Sequence, residues 1–282
     1  MAISLIFLWS QYELDSVYTT PLSIPSAFMF QFDFDSKCFV NAQTRQKAQG
    51  AKPLLQRLFY PHYSYEAASL NSCEAASRVH ALSHRHARQT KLKHAWNAKQ
   101  GISKGLFADQ NIGKSITRFK SNSFSVQHMR NNTSGYVRKF WQLMCRQQLT
   151  PISSQVAVGF QGSSKCVATA CDVLCYHSES KSYCIIELKT GFQNYYFKCS
   201  RRPMNAPLRD RTDCVYNQHQ LQLWLTHHLY QLTYPQHPMM PPLLVRMYPE
   251  GMDVYPLESW IVDRSAALFA VVCNALNKTE VV

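Results

Sequence analysis

Hydrophobic and polar positions change period several times along the chain, and each change marks an element. Phe28-Met29-Phe30-Gln31-Phe32-Asp33-Phe34-Asp35 alternates apolar with polar, which predicts an edge strand. Leu54 to Tyr60 predicts a short helix, stopped by Pro61. Val137, Phe140, Trp141 and Met144 recur at helical spacing, predicting a core helix with a basic outer face that Pro151 closes. The period then drops to that of strands. Gln155 to Phe160 predicts the first strand of a meander, Gly162-Ser163-Ser164 turns it, and Cys166 to Tyr176 returns. Ser182 to Gly191 is the third strand. Leu221, Leu225 and Leu229 place one apolar stripe on a helix over 216–230. Leu243 to Tyr248 and Met252 to Tyr255 flank Pro249-Glu250-Gly251 as a hairpin, and Trp260 to Leu276 forms a closing helix with Asp263 and Arg264 exposed. Strands interleaved with helices predict an α/β protein with a mixed central sheet flanked by helices.

The second and third meander strands carry the candidate chemistry. Between them lies His177-Ser178-Glu179-Ser180-Lys181. With Ser178 to Lys181 as the loop, His177 faces Ser182, and the same register sets Asp172 opposite Glu187. Opposed residues of an antiparallel pair lie about 5 Å apart. Alternation puts Glu187 and Lys189 on one face, with Asp172 on that face too. Two carboxylates so placed repel unless a cation lies between them. Oxygen-only ligands favour Mg²⁺ or Mn²⁺ over zinc. A lysine beside such an ion can orient water or offset developing charge. The same spacing also suits a surface hairpin with a salt bridge from Glu187 to Lys189 or Lys181.

Asp172, a hairpin, then Ile185-Ile186-Glu187-Leu188-Lys189-Thr190-Gly191 resembles the core of the PD-(D/E)XK nuclease superfamily, in its RecB-like and lambda-exonuclease-like branches. Cys171 stands where the family name places a Pro. The resemblance implies a restriction-endonuclease-like core and hydrolysis of phosphodiester bonds, of DNA or RNA, in exonucleolytic, repair or recombination work. It implies that Asp172 and Glu187 bind the metal and that Lys189 assists the attacking water. Lys104-Gly105-Leu106-Phe107-Ala108-Asp109 is similar to the relatives' glycine at a helix start followed four residues later by a third ligand, so Asp109 takes that place, the alternative being a salt-bridged Asp. Gln220-Leu221 resembles the relatives' Gln-Leu helix, with Gln220 aimed at the site and Gln218 the alternate register; the alternative is a solvated polar helix face. Only Cys273 lies beyond that helix, so the iron–sulfur cluster of some relatives is not implied. A catalytically inactive nucleic-acid-binding protein of the same fold is the competing expectation.

Composition sharpens the partner. The 282 residues carry a formal net charge of +13, which suggests a polyanion: DNA, or else RNA, ahead of an acidic membrane surface. Between Glu74 and Asp172 the one carboxylate is Asp109, while residues 75–150 hold fourteen Lys and Arg. Arg78, Arg85, Arg88, Lys91 and Lys93 fall on a predicted helix. Interleaved Trp96, Phe107, Phe119, Tyr136, Phe140 and Trp141 suggest a folded surface tracking a phosphate backbone. His80, His84 and His86 lack a Cys or acidic partner for zinc and suit phosphate contact or solvent exposure. The boundary is drawn at residue 75: an N-terminal extension over 1–75, whose packing on the core the sequence leaves open, then a nuclease-like domain over 76–282 whose part 76–150 is basic and helical. Ten cysteines without Cys-x-x-Cys spacing favour reduced, buried thiols in an intracellular protein, in the nucleus or another DNA-containing compartment, the mitochondrion included. No apolar run approaches the ~18 residues that cross a bilayer.

Overall fold

The computed structural model describes residues 30–33, 38–61, 105, 107–121, 135–190, 196–197, 202–248 and 250–278. His80, His84, His86, Trp96 and the basic positions from Arg78 to Lys93 lie outside the described residues.

β1 (Phe30–Asp33) and β2 (Cys38–Asn41) pair antiparallel as a small ribbon. β3 (Gln49–Gly50) leads into α1 (Ala51–Phe59), and a helix over 107–120, α2, precedes α3 (Gly135–Arg146). The meander follows as β4 (Leu149–Gln161), β5 (Cys166–His177) and β6 (Ser182–Thr190). α4 (Val215–Thr233), the hairpin β7 (Leu243–Met247) and β8 (Met252–Pro256), α5 (Ser259–Val262) and α6 (Ser265–Asn277) complete the chain.

The main sheet runs β3-β5-β6-β7-β8, with β4 also on β5. β3–β5 and β6–β7 are parallel and the other pairs antiparallel, so the protein is mixed α/β with a mixed sheet and flanking helices. Because a strand has two edges and β4 covers one edge of β5, β3 and β6 must share the other. β3 takes it at Val167 and Ala168, and β6 takes it at Val173 to His177. Between them β5 and β6 part company. This fork opens at Asp172, and α1 begins at its mouth.

Two apolar layers clamp the sheet. On one face α1, α4, α5 and α6 pack through Leu54, Leu55, Phe59, Leu221, Leu225, Ile261 and Leu268 against Leu174, Ile185 and Leu244. On the other, α2 and α3 pack Ile112, Ile116, Phe140 and Met144 against Val173, Cys175, Ile186 and Val245. Successive residues of β6 thus alternate between the two layers, as the pleat requires.

Three expectations change in detail. Pro151 lies within β4, paired with Cys175, rather than ending a helix. β4 bonds to β5 alone in the main sheet, so a residue without an N–H is tolerated on its outer edge, and the register shifts just beyond it. The closing helix is two, α5 and α6, separated at Asp263 and Arg264. For residues 38–61, whose packing the sequence leaves open, β3 adds to the sheet and α1 packs on α4 and α6. Phe30 reaches β4 because residue 159 is glycine; a Cβ there would lie 2.5 Å from the Phe30 ring.

The aromatic residues of the basic block divide. Phe140 and Trp141 are buried in the α2–α3 layer, with Phe119 tilted against Trp141 at 4.9 Å between ring centroids. They face the sheet because the apolar stripe of α3 must be buried, and they are not available to stack on bases. Phe107 alone of these, among the described residues, is a largely exposed large apolar side chain. Phe140→Ala is therefore expected to cost about 3–5 kcal/mol and Phe107→Ala under about 0.5 kcal/mol, measured by urea denaturation. Equal costs would contradict this packing.

Candidate active site

The hairpin register is the predicted one. His177 pairs with Ser182 and Val173 with Ile186, which brings Asp172 and Glu187 to the next step of the ladder. There the backbone pairing stops. Asp172 Oδ2 accepts the Leu188 N–H at 2.8 Å, so a side chain replaces a ladder bond and fixes the carboxylate in the fork. Opposite it on β4, Gln155 has φ 55° and turns its amide toward Asp172 Oδ1 at 3.5 Å. A non-glycine residue at positive φ stores of order 1 kcal/mol and marks a departure from regular strand. Cys171 and Leu174, three residues apart, both join the α4-side layer, so alternation slips by one at Asp172.

Glu187 lies under α4, only 1% exposed. Its Oε1 accepts from the Lys189 ammonium and from Gln222 Nε2, the latter at 2.6 Å. Its Oε2 is buried and has no hydrogen-bond partner among the described residues. Burial, and then the charge of Asp172, push the Glu187 carboxyl up to about 7, against the pull of Lys189. Burial opposes the charge on Lys189, but Glu187, Asp172 and Asp109 outweigh it and hold the ammonium above its ordinary value.

Asp109 arrives from the opposite layer. Gly105 starts its helix against β6: a Cβ there would meet Thr190 Oγ1 at 3.0 Å. Gly113 crosses β4 beside Ser154. This brings Asp109 within electrostatic reach of Asp172 and Lys189, and burial followed by the Asp172 charge pushes it up to about 6. Asp109, Asp172, Glu187 and Lys189 therefore form one electrostatic cluster.

Gln220 does not join it. Its amide donates to Tyr216 Oη at 3.2 Å and to the Pro256 carbonyl at 3.0 Å, and its Oε1 accepts the Glu258 N–H. It anchors α4 to the β8–α5 connection. Two positions further along the same helix, Gln222 is the amide that touches the carboxylate. The alternate, Gln218, donates to Asp213. Pattern could not separate them, because α4 is covered on nearly all sides and has no solvent face to orient it.

Two further groups went unread in the sequence. Lys52, in the first turn of α1, is close enough to the cluster that burial, and then repulsion from Lys189, lower its ammonium, with Glu187 opposing. His219 is buried beside Tyr196 Oη and kept neutral by burial, then by Lys189 and Lys52. Nothing in periodicity marks a lysine so far ahead of the meander.

Oxygen donors, an orphaned buried carboxylate oxygen and two acids raised by burial and then by the Asp172 charge fit a hard divalent cation such as Mg²⁺ or Mn²⁺. Among the described residues, no three His, Cys, Asp or Glu side chains are gathered tightly enough to hold a metal ion as they stand. The physical reason is visible: Asp172 turns to Leu188 N–H, Glu187 to Lys189 and Gln222, and Asp109 comes from the other face. Elsewhere among the described residues, the eight cysteines are free thiols, with Cys171, Cys175 and Cys184 buried. No helix among them is long and apolar enough to cross a membrane.

No family profile and no curated protein matches this chain. Among solved structures it is similar to the one titled "Crystal structure of SSO0001", at 12% identity and a TM-score of 0.24, covering 57% of this chain and 74% of that one. So slight a likeness assigns neither fold nor function.

The raised Glu187 carboxyl has a thermodynamic consequence. The folded protein binds this proton more tightly than the unfolded chain, so its contribution to stability is greatest at low pH and is lost as pH rises through about 7. The buried histidines, His219 and His227, act in the opposite sense, so a difference between variants isolates the term. The melting temperature of wild type relative to Glu187→Gln, in EDTA, should fall between pH 5 and pH 8. A flat or rising difference would show that the carboxyl is not raised.

Proposed function

We propose that this protein is a metal-dependent nuclease with a restriction-endonuclease-like core, hydrolysing phosphodiester bonds of DNA. The observation that carries the reading is the buried Glu187, tied to Lys189 and Gln222, with its second oxygen unpaired beside Asp172. A structural ion pair has no use for an orphaned oxygen, since a buried acceptor without a partner costs about 1–3 kcal/mol. Its position on the strand that resembles the superfamily's Glu-x-Lys triplet adds to the reading.

Glu187 and Asp172 would hold the Mg²⁺ or Mn²⁺, with Asp109 the third acid. The ion would supply polarisation of a phosphoryl oxygen and a more acidic water. The chain's own part is positional. Asp172 is held in the fork by Leu188 N–H, which keeps its carboxylate from swinging into solvent. Gln222 locks the Glu187 rotamer from α4, so the carboxylate cannot follow Lys189 when the ion pair opens. Lys189 keeps its proton in this anionic setting, so it donates to a water or to a developing phosphorane oxygen rather than abstracting a proton. The overall charge of +13 draws the polyanion toward a local cluster that is itself acid-rich.

Cleavage of linear and circular DNA, with Mg²⁺ and with EDTA, tests the reading. Wild type is expected to cut only with the metal. Glu187→Ala and Lys189→Ala should each lower the rate by roughly 10²-fold or more while DNA affinity in EDTA holds. Retained Mg²⁺-dependent activity in both variants would refute the assignment. Gln222→Ala should reduce the rate more than Gln220→Ala at matched stability, because only the first touches the carboxylate.

A further inference from the structure

An aromatic ledge lies beside the acids, and cross-strand register puts it there. Glu187 pairs with Leu244 of β7, and Leu244 with Tyr255 of β8. Paired residues project to one face, so Glu187 and Tyr255 share the α4 side of the sheet, two strand spacings or about 10 Å apart. The next row on that face is Lys189, Arg246 and Asp253. Tyr196, from the connection between β6 and α4, stacks over the Arg246 guanidinium at 4.8 Å. Phe197 follows it in the chain. Its ring meets those of Tyr196, Tyr216 and Tyr255 at centroid separations of 5.1, 4.9 and 5.8 Å.

The ledge is fixed from below. Tyr255 Oη donates to Asp253 Oδ2 at 3.1 Å, and Arg246 binds the same oxygen at 2.7 Å. Tyr216 Oη donates to Glu258. With its supporting rings tied down, Phe197 does not sink among them and stays 52% exposed, forgoing part of the burial a phenylalanine gains in a core. One exposed ring offers a flat apolar face rather than a groove for a peptide side chain. A DNA strand alternates an anionic phosphate with a flat base, and this face of the sheet sets the Lys189 ammonium beside the Phe197 ring. In a duplex each base is already stacked on both sides; an unpaired base has a face to give.

We infer that Phe197 stacks on an unpaired base of a DNA strand whose scissile phosphate lies at Glu187 and Lys189, so that the substrate is single-stranded DNA. The inference rests on the nuclease reading for the scissile phosphate, while the stacking itself requires no cleavage. Phe197 acts on affinity and on the choice between single strand and duplex. Stacking tolerates any base, because every base has a π face.

The test measures binding and cleavage separately. Fluorescence anisotropy in EDTA, over a range of salt, gives affinity for a labelled oligothymidylate, for the same strand carrying abasic positions, and for a duplex of equal length. The variants are Phe197→Ala, Phe197→Leu and Phe197→Trp, each with its melting temperature recorded; the leucine keeps an apolar contact with the ledge and loses the flat ring. Phe32→Ala is the control, a ring 42% exposed on β1, which packs on β4 at the opposite edge of the sheet. Phe197→Ala and Phe197→Leu should bind the oligothymidylate about 5- to 100-fold more weakly. The slope of log affinity against log salt should hold, since no phosphate contact is lost. Phe197→Trp should keep the affinity, Phe32→Ala should match wild type, and the losses should vanish on the abasic strand and on the duplex. Unaltered affinity of both Phe197→Ala and Phe197→Leu for the single strand overturns the stacking, as does an equal loss on abasic or duplex DNA. If wild type still cleaves in Mg²⁺, either of those results spares the nuclease reading. A wild type that binds single strands through Phe197 but never cleaves sinks the nuclease reading and keeps the stacking. A wild type that neither binds nor cleaves removes both.

Discussion

A carboxylate buried where two strands separate is the constraint on which this structure turns. Glu187 is almost wholly removed from water, and a charge so placed costs several kcal/mol unless it is paired. Lys189 and Gln222 satisfy one oxygen and leave the other unserved. Apolar residues of similar volume at these positions would give a more stable sheet. The protein instead bends its own regularity around the acid. β5 and β6 stop pairing, Asp172 takes a ladder hydrogen bond with its side chain, and Gln155 adopts a positive φ on the next strand.

Each layer of the fold contributes to that point. The sheet supplies Asp172, Glu187 and Lys189. α4 brings Gln222 down from one side, and the helix over 107–120 brings Asp109 from the other. Because the groups come from separate elements, their mutual geometry depends on the apolar packing of both faces, with Ile185 and Leu244 on one and Ile186 and Val245 on the other. Repulsion among the acids is then a local strain that this packing sustains, and a cation or a proton relieves it.

The electrostatic layout has two scales. Over the whole chain, positive charge prevails by thirteen. At the fork, one ammonium contacts Glu187 within electrostatic reach of Asp172 and Asp109, and Glu187 and Asp109 hold their protons nearer neutrality than ordinary acids do.

The sequence by itself determined the meander and the register that brings Asp172 toward Glu187. These follow from a two-residue period and a short polar turn, which are local and leave few other pairings. It also marked Asp109, a lone acid in a basic stretch behind a helix-starting glycine. Only the tertiary structure decided which glutamine of α4 reaches the acid, since a helix packed on nearly every side has no solvent face to set its rotation. Only it revealed that α1 packs on the sheet and on α4, because β3 is two residues long and too brief to register as a period. The same holds for Phe140 and Trp141, whose spacing is equally that of a core stripe and of an exposed aromatic track until the opposing sheet is in place. Local periodicity records what a segment can do alone; which of its faces meets another element is a property of the packed molecule.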